Sequence, residues 1–195
     1  MRSSGGSILT SPGWAGQWFP TGCVAPDVLD TLLDFAGEVT DGTAHLLIGH
    51  SAGAYYAQAM AAREPGQSLV CLLLPGLRDD DFQSYFVVQS PEMLERHERY
   101  VRPSAALFDQ TALERIGERW ALAPGDGPAY AGPTLVVAGR LDSTVGYAAA
   151  VDLVDYYLHA SLAVVYDAGH ALPHEKPDLL RALVAEWLAR VARSG

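Results

Sequence analysis

Residues 46–60 read LLIGHSAGAYYAQAM. An apolar run of strand length enters Gly-His-Ser-Ala-Gly and passes at once into an alanine-rich helix. Glycines stand two before and two after Ser51, and side chains at Gly49 and Gly53 are expected to clash in a tight strand-to-helix turn. Such a turn strains the serine backbone and raises its hydroxyl at the C-terminal edge of a sheet. The positive end of the helix lies beside it, and the amide of Ala52 can face a developing oxyanion. The blander reading is a glycine-rich turn with an idle serine. The strand and helix on either side favour a nucleophile.

Outward from this stretch, the same form recurs. SILTSPG (7–13), SLVCLLLPG (68–76), PTLVVAGRLDS (133–143) and SLAVVYDAGH (161–170) are apolar, β-branched runs that end in glycine or a polar turn. Continuous apolar runs predict strands buried on both faces, as in a parallel sheet. Helical patterns over 26–39, 52–64, 146–160 and 176–192 separate or follow them. In the last, Leu179, Leu180, Leu183, Val184, Trp187, Leu188 and Val191 form a stripe that suits packing on a sheet. The alternation predicts an α/β protein with a doubly wound, mostly parallel sheet. Residues 1–76 and 131–195 form its core. Residues 77–130 break the rhythm with short helices and loops and are expected to lie over the strand ends as a lid.

A nucleophilic serine needs a base, and the base needs an orienting acid. Six histidines are available. His50 adjoins the serine, so its ring is expected to point elsewhere. His45 begins a strand, His97 lies in the charged segment LERHERY and is expected to be solvated, and His159 lies at the end of a helix, where a cation suits the dipole. His170 ends a strand on the glycine-containing loop DAGHALPHE, at the same sheet edge as Ser51. Asp142, in VVAGRLDSTVGY, ends the strand before it. The order Ser51, Asp142, His170 is the one this motif demands. Asp142 has a rival role as a cap for the helix near Gly146. Asp79, Asp80 and Asp81 are alternative acids, and Asp167 reads as a turn residue. His170, His174 and Glu175 raise the question of metal. The helical H-E-x-x-H pattern is absent, however, and Pro173 is expected to prevent a regular helix there, so no metal site is expected.

Composition narrows the function classes. The 195 residues are 49% hydrophobic and 18% charged, which suits one globular core. A formal net charge of −10 disfavours nucleic acid and anionic membrane surfaces as partners. Cys23 and Cys71 make neither a disulfide framework nor a zinc pattern, and Cys71 reads as a small buried hydrophobe. The start, MRSSGGSILTSPGW, has no apolar core of a signal peptide, and no run approaches the roughly 20 apolar residues of a membrane span. The expected location is the cytoplasm.

These motifs together resemble the α/β-hydrolase superfamily. IGHSAG is similar to its nucleophile elbow, GRLDSTVGY to its acid loop, and DAGHALPHEKPDLLRALVAEWL to its histidine loop and final helix. SPGWAGQW resembles the loop after the fourth strand, with Ser11 where aspartate is common. The resemblance implies a serine hydrolase for an ester, thioester or similar activated carbonyl of a small molecule, with no cofactor. Ser51 attacks, His170 moves the proton, Asp142 holds the imidazolium and Ala52 supplies one oxyanion amide. Phe82, Tyr85, Phe86 and Leu94 in the lid are candidates for the acyl pocket, their simpler role being lid packing. By this resemblance the strands usually found before SILTSPGW are missing, and with them the loop that provides the second oxyanion amide. Their loss exposes a sheet edge, which invites a homodimer. Two rival readings are a non-catalytic or weakly active binding protein on the same fold and a carbon–carbon bond hydrolase.

Overall fold

The computed structural model describes residues 25–63, 68–73, 82–105, 107, 109–122, 130–143 and 146–194. The expected strand at 7–13, Ser11, Cys23 and the aspartates 79–81 lie outside these residues.

Four parallel strands form one sheet in sequential order: β1 (Leu46–Ser51), β2 (Ser68–Leu73), β3 (Thr134–Gly139) and β4 (Ala160–Val165). β1 pairs with β2 from Leu46↔Ser68 to Ser51↔Leu73, and β3 with β4 from Thr134↔Ala160 to Gly139↔Val165. Because Leu72 is opposite both His50 and Val137, Ser51 and Ala138 lie at one level of the sheet. The loops that leave β1, β3 and β4 therefore emerge at one edge. Two strands end earlier than their apolar runs suggest, at Gly139 and Val165, and the residues beyond them form the loops that carry Asp142 and His170.

Helices cover both faces, as a doubly wound sheet requires. On one face α2 (Ala52–Arg63) and α7 (Ala148–Tyr156) pack on the sheet through Ala54, Ala57, Ala61, Ala150 and Leu153. Small side chains let these helices approach closely. The β3 residues Val136 and Ala138 face this layer, and Leu135 and Val137, one position out of phase, face the other. On that second face α9 (Pro177–Ser194) lays down Trp187, Leu180, Leu183, Val184 and Val191. Trp187 is fully buried, and its indole N–H donates to the Pro133 carbonyl at 2.8 Å, so burial leaves no polar atom stranded. α1 (Ala25–Thr40) packs outside α2 through Val28, Leu29 and Ala36. It stops where Asp41 and Gly42 take positive φ.

One expectation fails in β1. Its continuous apolar run predicts burial on both faces, yet Ile48 is 62% exposed. α9 packs on β3 and β4 and leaves this side of β1 open among the described residues. β3, in the middle of the layers, is buried at all six positions.

The segment between β2 and β3 divides into two parts. α3 (Phe82–Tyr85), α4 (Pro91–Arg96), a π-helical turn (His97–Val101) and α5 (Arg102–Ala105) form a small layer in which Phe86 and Met93 pack on Ala171. α6 (Gln110–Glu118), N-capped by Asp109, instead sends Ile116 to α1 and α2, followed by Trp120, which stacks on Tyr55 at 5.3 Å. Among the described residues no helix is long and apolar enough to cross a membrane.

Candidate active site

Ser51 closes β1 with φ +56°, a left-handed conformation that non-glycine residues adopt at a cost. α2 begins at the next residue, so Ala52 and the positive end of the helix lie beside the serine. A Cβ at Gly49 would lie 2.3 Å from the Gly53 carbonyl oxygen and 2.6 Å from the Ala54 Cα. Those atoms are backbone and have no rotamer to escape into. At Gly53 the expected clash is absent: a Cβ there meets nothing within 4 Å among the described residues. The turn thus needs glycine at 49 because the chain at 53 folds back onto it. Gly49→Ala is expected to destabilise the chain by about 3 kcal/mol, measured as a shift in urea unfolding.

Gly139 and the loop after β4 show the same economy. A Cβ at Gly139 would meet the Gly169 and Ala168 carbonyl oxygens at 2.5 and 2.6 Å, so only glycine lets the two loops touch. The Leu141 amide donates to the Ala168 carbonyl at 3.0 Å, and the Arg140 amide to the Val165 carbonyl at 2.8 Å. Locked together in this way, the loops bring His170 Nδ1 to 3.4 Å from Asp142 Oδ2, with the side chains 6% and 0% exposed. The Gly146 amide donates to the Asp142 carbonyl, so the start of the next turn is held by the Asp142 backbone.

His50 turns to the histidine loop. Its ring lies 5.3 Å from that of His170, and its Nε2–H donates to the His170 carbonyl at 3.1 Å. The strand alternation that separates it from Ser51 turns it toward the histidine loop. Burial, with the neighbouring His170 adding to it, lowers the His50 pKa to about 4, so His50 is a neutral donor at ordinary pH. Unfolding restores a value near 6.5, so in mildly acid solution the unfolded chain takes up a proton that the folded chain refuses. Stability is therefore expected to fall as pH drops from about 6.5 to about 4. His50→Gln, which keeps a donor but cannot titrate, should flatten that fall by up to about 3 kcal/mol in pH-dependent urea unfolding.

The predicted pocket residues separate. The Tyr85 ring stands edge-on to His170 at 5.1 Å, and burial together with the Asp142 and Glu175 carboxylates pushes its hydroxyl pKa up to about 12. Phe82 is half-buried beside Phe86 at 5.2 Å. Phe86 is a core residue of its layer rather than a pocket lining, packed with Met93 and Ala171. Leu94 is 44% exposed on α4. His97 corrects another expectation. It is 4% exposed, because the π-helical turn and the docking of α4 set its ring edge-on to Phe82 and Phe86 at 5.7 and 6.0 Å. Its charged neighbours in sequence disguise this.

Pro173 does not prevent a helix. It sits in the first turn of the four-residue α8 (Leu172–Glu175), where its missing N–H costs nothing. Glu175, considered from sequence only as a metal ligand, instead accepts three backbone N–H bonds. Its Oε1 takes those of Val87 at 2.6 Å and Val88 at 2.8 Å, and its Oε2 takes that of Gly169 at 2.8 Å. No local pattern announces this role, since two of its partners lie more than 80 positions away.

The family model described as "Serine hydrolase (FSH1)" matches residues 26–181. No curated protein matches the chain in sequence. Among solved structures, an alpha/beta superfamily hydrolase from Oenococcus oeni PSU-1 superposes with a TM-score of 0.74 at 18% identity, covering 89% of this chain and 76% of that one. An esterase (EaEST) from Exiguobacterium antarcticum gives 0.63 at 16% identity, with 82% and 73% covered. The meta-cleavage product hydrolase CumD gives 0.55 at 19% identity, with 83% and 72% covered. Likeness at these identities establishes the α/β-hydrolase fold.

Proposed function

Because the chain belongs to the serine hydrolase (FSH1) family and is a hydrolase, we propose that Ser51, His170 and Asp142 are its catalytic triad and that it cleaves an ester, thioester or similarly activated carbonyl of a small molecule. The His50–His170 hydrogen bond carries this reading: it ties the loop of the base to the residue next to the nucleophile.

The chemistry follows from the two faces of the imidazole. Nδ1 is turned to the buried Asp142 carboxylate, which leaves Nε2 to act as base. Ser51 Oγ attacks the substrate carbonyl as His170 Nε2 takes its proton, and the carbonyl oxygen becomes an oxyanion facing the Ala52 N–H. Collapse expels the leaving group, which receives the proton from His170. Water, activated by the same imidazole, then hydrolyses the acyl-serine. The low-dielectric setting of Asp142 strengthens its attraction for the imidazolium formed in each half-reaction. The α2 N-terminus favours the oxyanion at the moment the charge develops.

The test is exposure of the folded chain to a fluorophosphonate, followed by intact-mass and peptide analysis. One adduct, on Ser51, is the expected result. A folded chain that takes no adduct, or takes it elsewhere, removes the triad reading.

A further inference from the structure

The loop that carries His170 is held by more than the strand it leaves. The segment 82–88 meets the loop 168–175 on both flanks of the base. On one flank, Gly169 presents its N–H to Glu175 Oε2, and the Val87 methyl would lie 2.5 Å from a Cβ at Gly169. On the other, the Ala171 N–H donates to the Tyr85 carbonyl at 3.2 Å. Below the base, His50 holds the His170 carbonyl. Further along, the Arg96 guanidinium donates to the His174 carbonyl at 3.0 Å.

Glu175 is the member of this set that serves both sides at once. One carboxylate oxygen takes two amides of the overlying segment, Val87 and Val88, and the other takes the amide next to His170. A neutral amide side chain cannot reproduce this: its oxygen can serve one side, and its NH₂ then opposes an N–H on the other. Charge-assisted bonds of this kind are also stronger than neutral ones. Building on the triad reading, we propose that Glu175 is a positioning residue for His170, through which docking of residues 82–88 sets the catalytic base in place.

The experiment compares Glu175→Gln and Glu175→Asp with the parent chain in p-nitrophenyl acetate hydrolysis and in the rate of fluorophosphonate labelling, each well below its own Tm. Ser90→Ala is the control. It removes the N-cap of α4, whose Ser90 Oγ accepts the Met93 N–H, and leaves every Glu175 bond intact. Glu175→Gln is expected to lower kcat and the labelling rate by about 10-fold to 100-fold with KM within about two-fold, the signature of a displaced base rather than a lost binding contact. Ser90→Ala is expected to lower Tm and leave kcat unchanged. Should Glu175→Gln fail to fold, Glu175→Asp, one methylene too short to span both sides, carries the same expectation. A folded Glu175 variant with parental kcat and labelling rate overturns the proposal while the triad stands. A parent chain that takes no label removes both.

Discussion

Ser51→Ala is expected to lower kcat for p-nitrophenyl acetate by about a million-fold and to abolish the fluorophosphonate adduct. The hydroxyl is the only part of the proposed machinery that forms a bond to the substrate, so nothing else can substitute for it. The backbone should be untouched: alanine can occupy the same φ of +56°, and Gly49 still admits the returning chain at Gly53. Far-UV circular dichroism and the urea midpoint should therefore match the parent. A residual rate above water is expected, because the Ala52 amide and the binding surface remain. Equal turnover in parent and variant would mean that the hydrolysis arises elsewhere on the chain.

The second large effect belongs to Asp142→Asn, expected at about 10⁴-fold in kcat, or roughly 5 kcal/mol of transition-state stabilisation. The introduced amide can turn its NH₂ toward His170 Nδ1, which then accepts a hydrogen bond and forces the ring proton onto Nε2. The base is then blocked by its own proton where it should receive that of Ser51. The Asp142 side chain is fully buried and the substitution is nearly isosteric, so the fold is expected to survive. Comparing the labelling rates of the two variants separates their roles. Ser51→Ala should show no adduct at any time, and Asp142→Asn should show the same adduct formed slowly. An Asp142→Asn enzyme of parental rate would move the acid elsewhere, with Asp79, Asp80 and Asp81 the next to test.

Much of the site is legible along the chain because its signals are local. Gly49 and Ser51 carry theirs within one strand-to-helix turn, where steric exclusion at 49 and a forced positive φ at 51 are decided by neighbours two to four positions away. The pairing of Asp142 with His170 is almost as local, since both lie just beyond the ends of adjacent parallel strands and only one helix and one strand separate them. Apolar runs and helical stripes likewise report the sheet and its two helical layers, because burial of one face is what makes those patterns recur.

Only the tertiary structure decides the rest. Nothing in ERHERYV predicts that His97 turns inward, because the cause is a layer that docks on Ala171, more than 70 positions on. His50 is placed against His170 by β1 register and the return of the β4 loop across the sheet edge. Glu175 meets Val87 and Val88 only because residues 82–88 dock on the loop after β4. Ile48 reads as core and is exposed, since its covering depends on which helix reaches that side of the sheet. The sequence by itself determined the α/β class and the strained serine turn, and it singled out Ser51, Asp142 and His170 as candidates, because each follows from short-range sterics and periodicity. Which buried polar groups meet was left to the packing of distant segments, where one hydrogen bond depends on the positions of every layer between its partners.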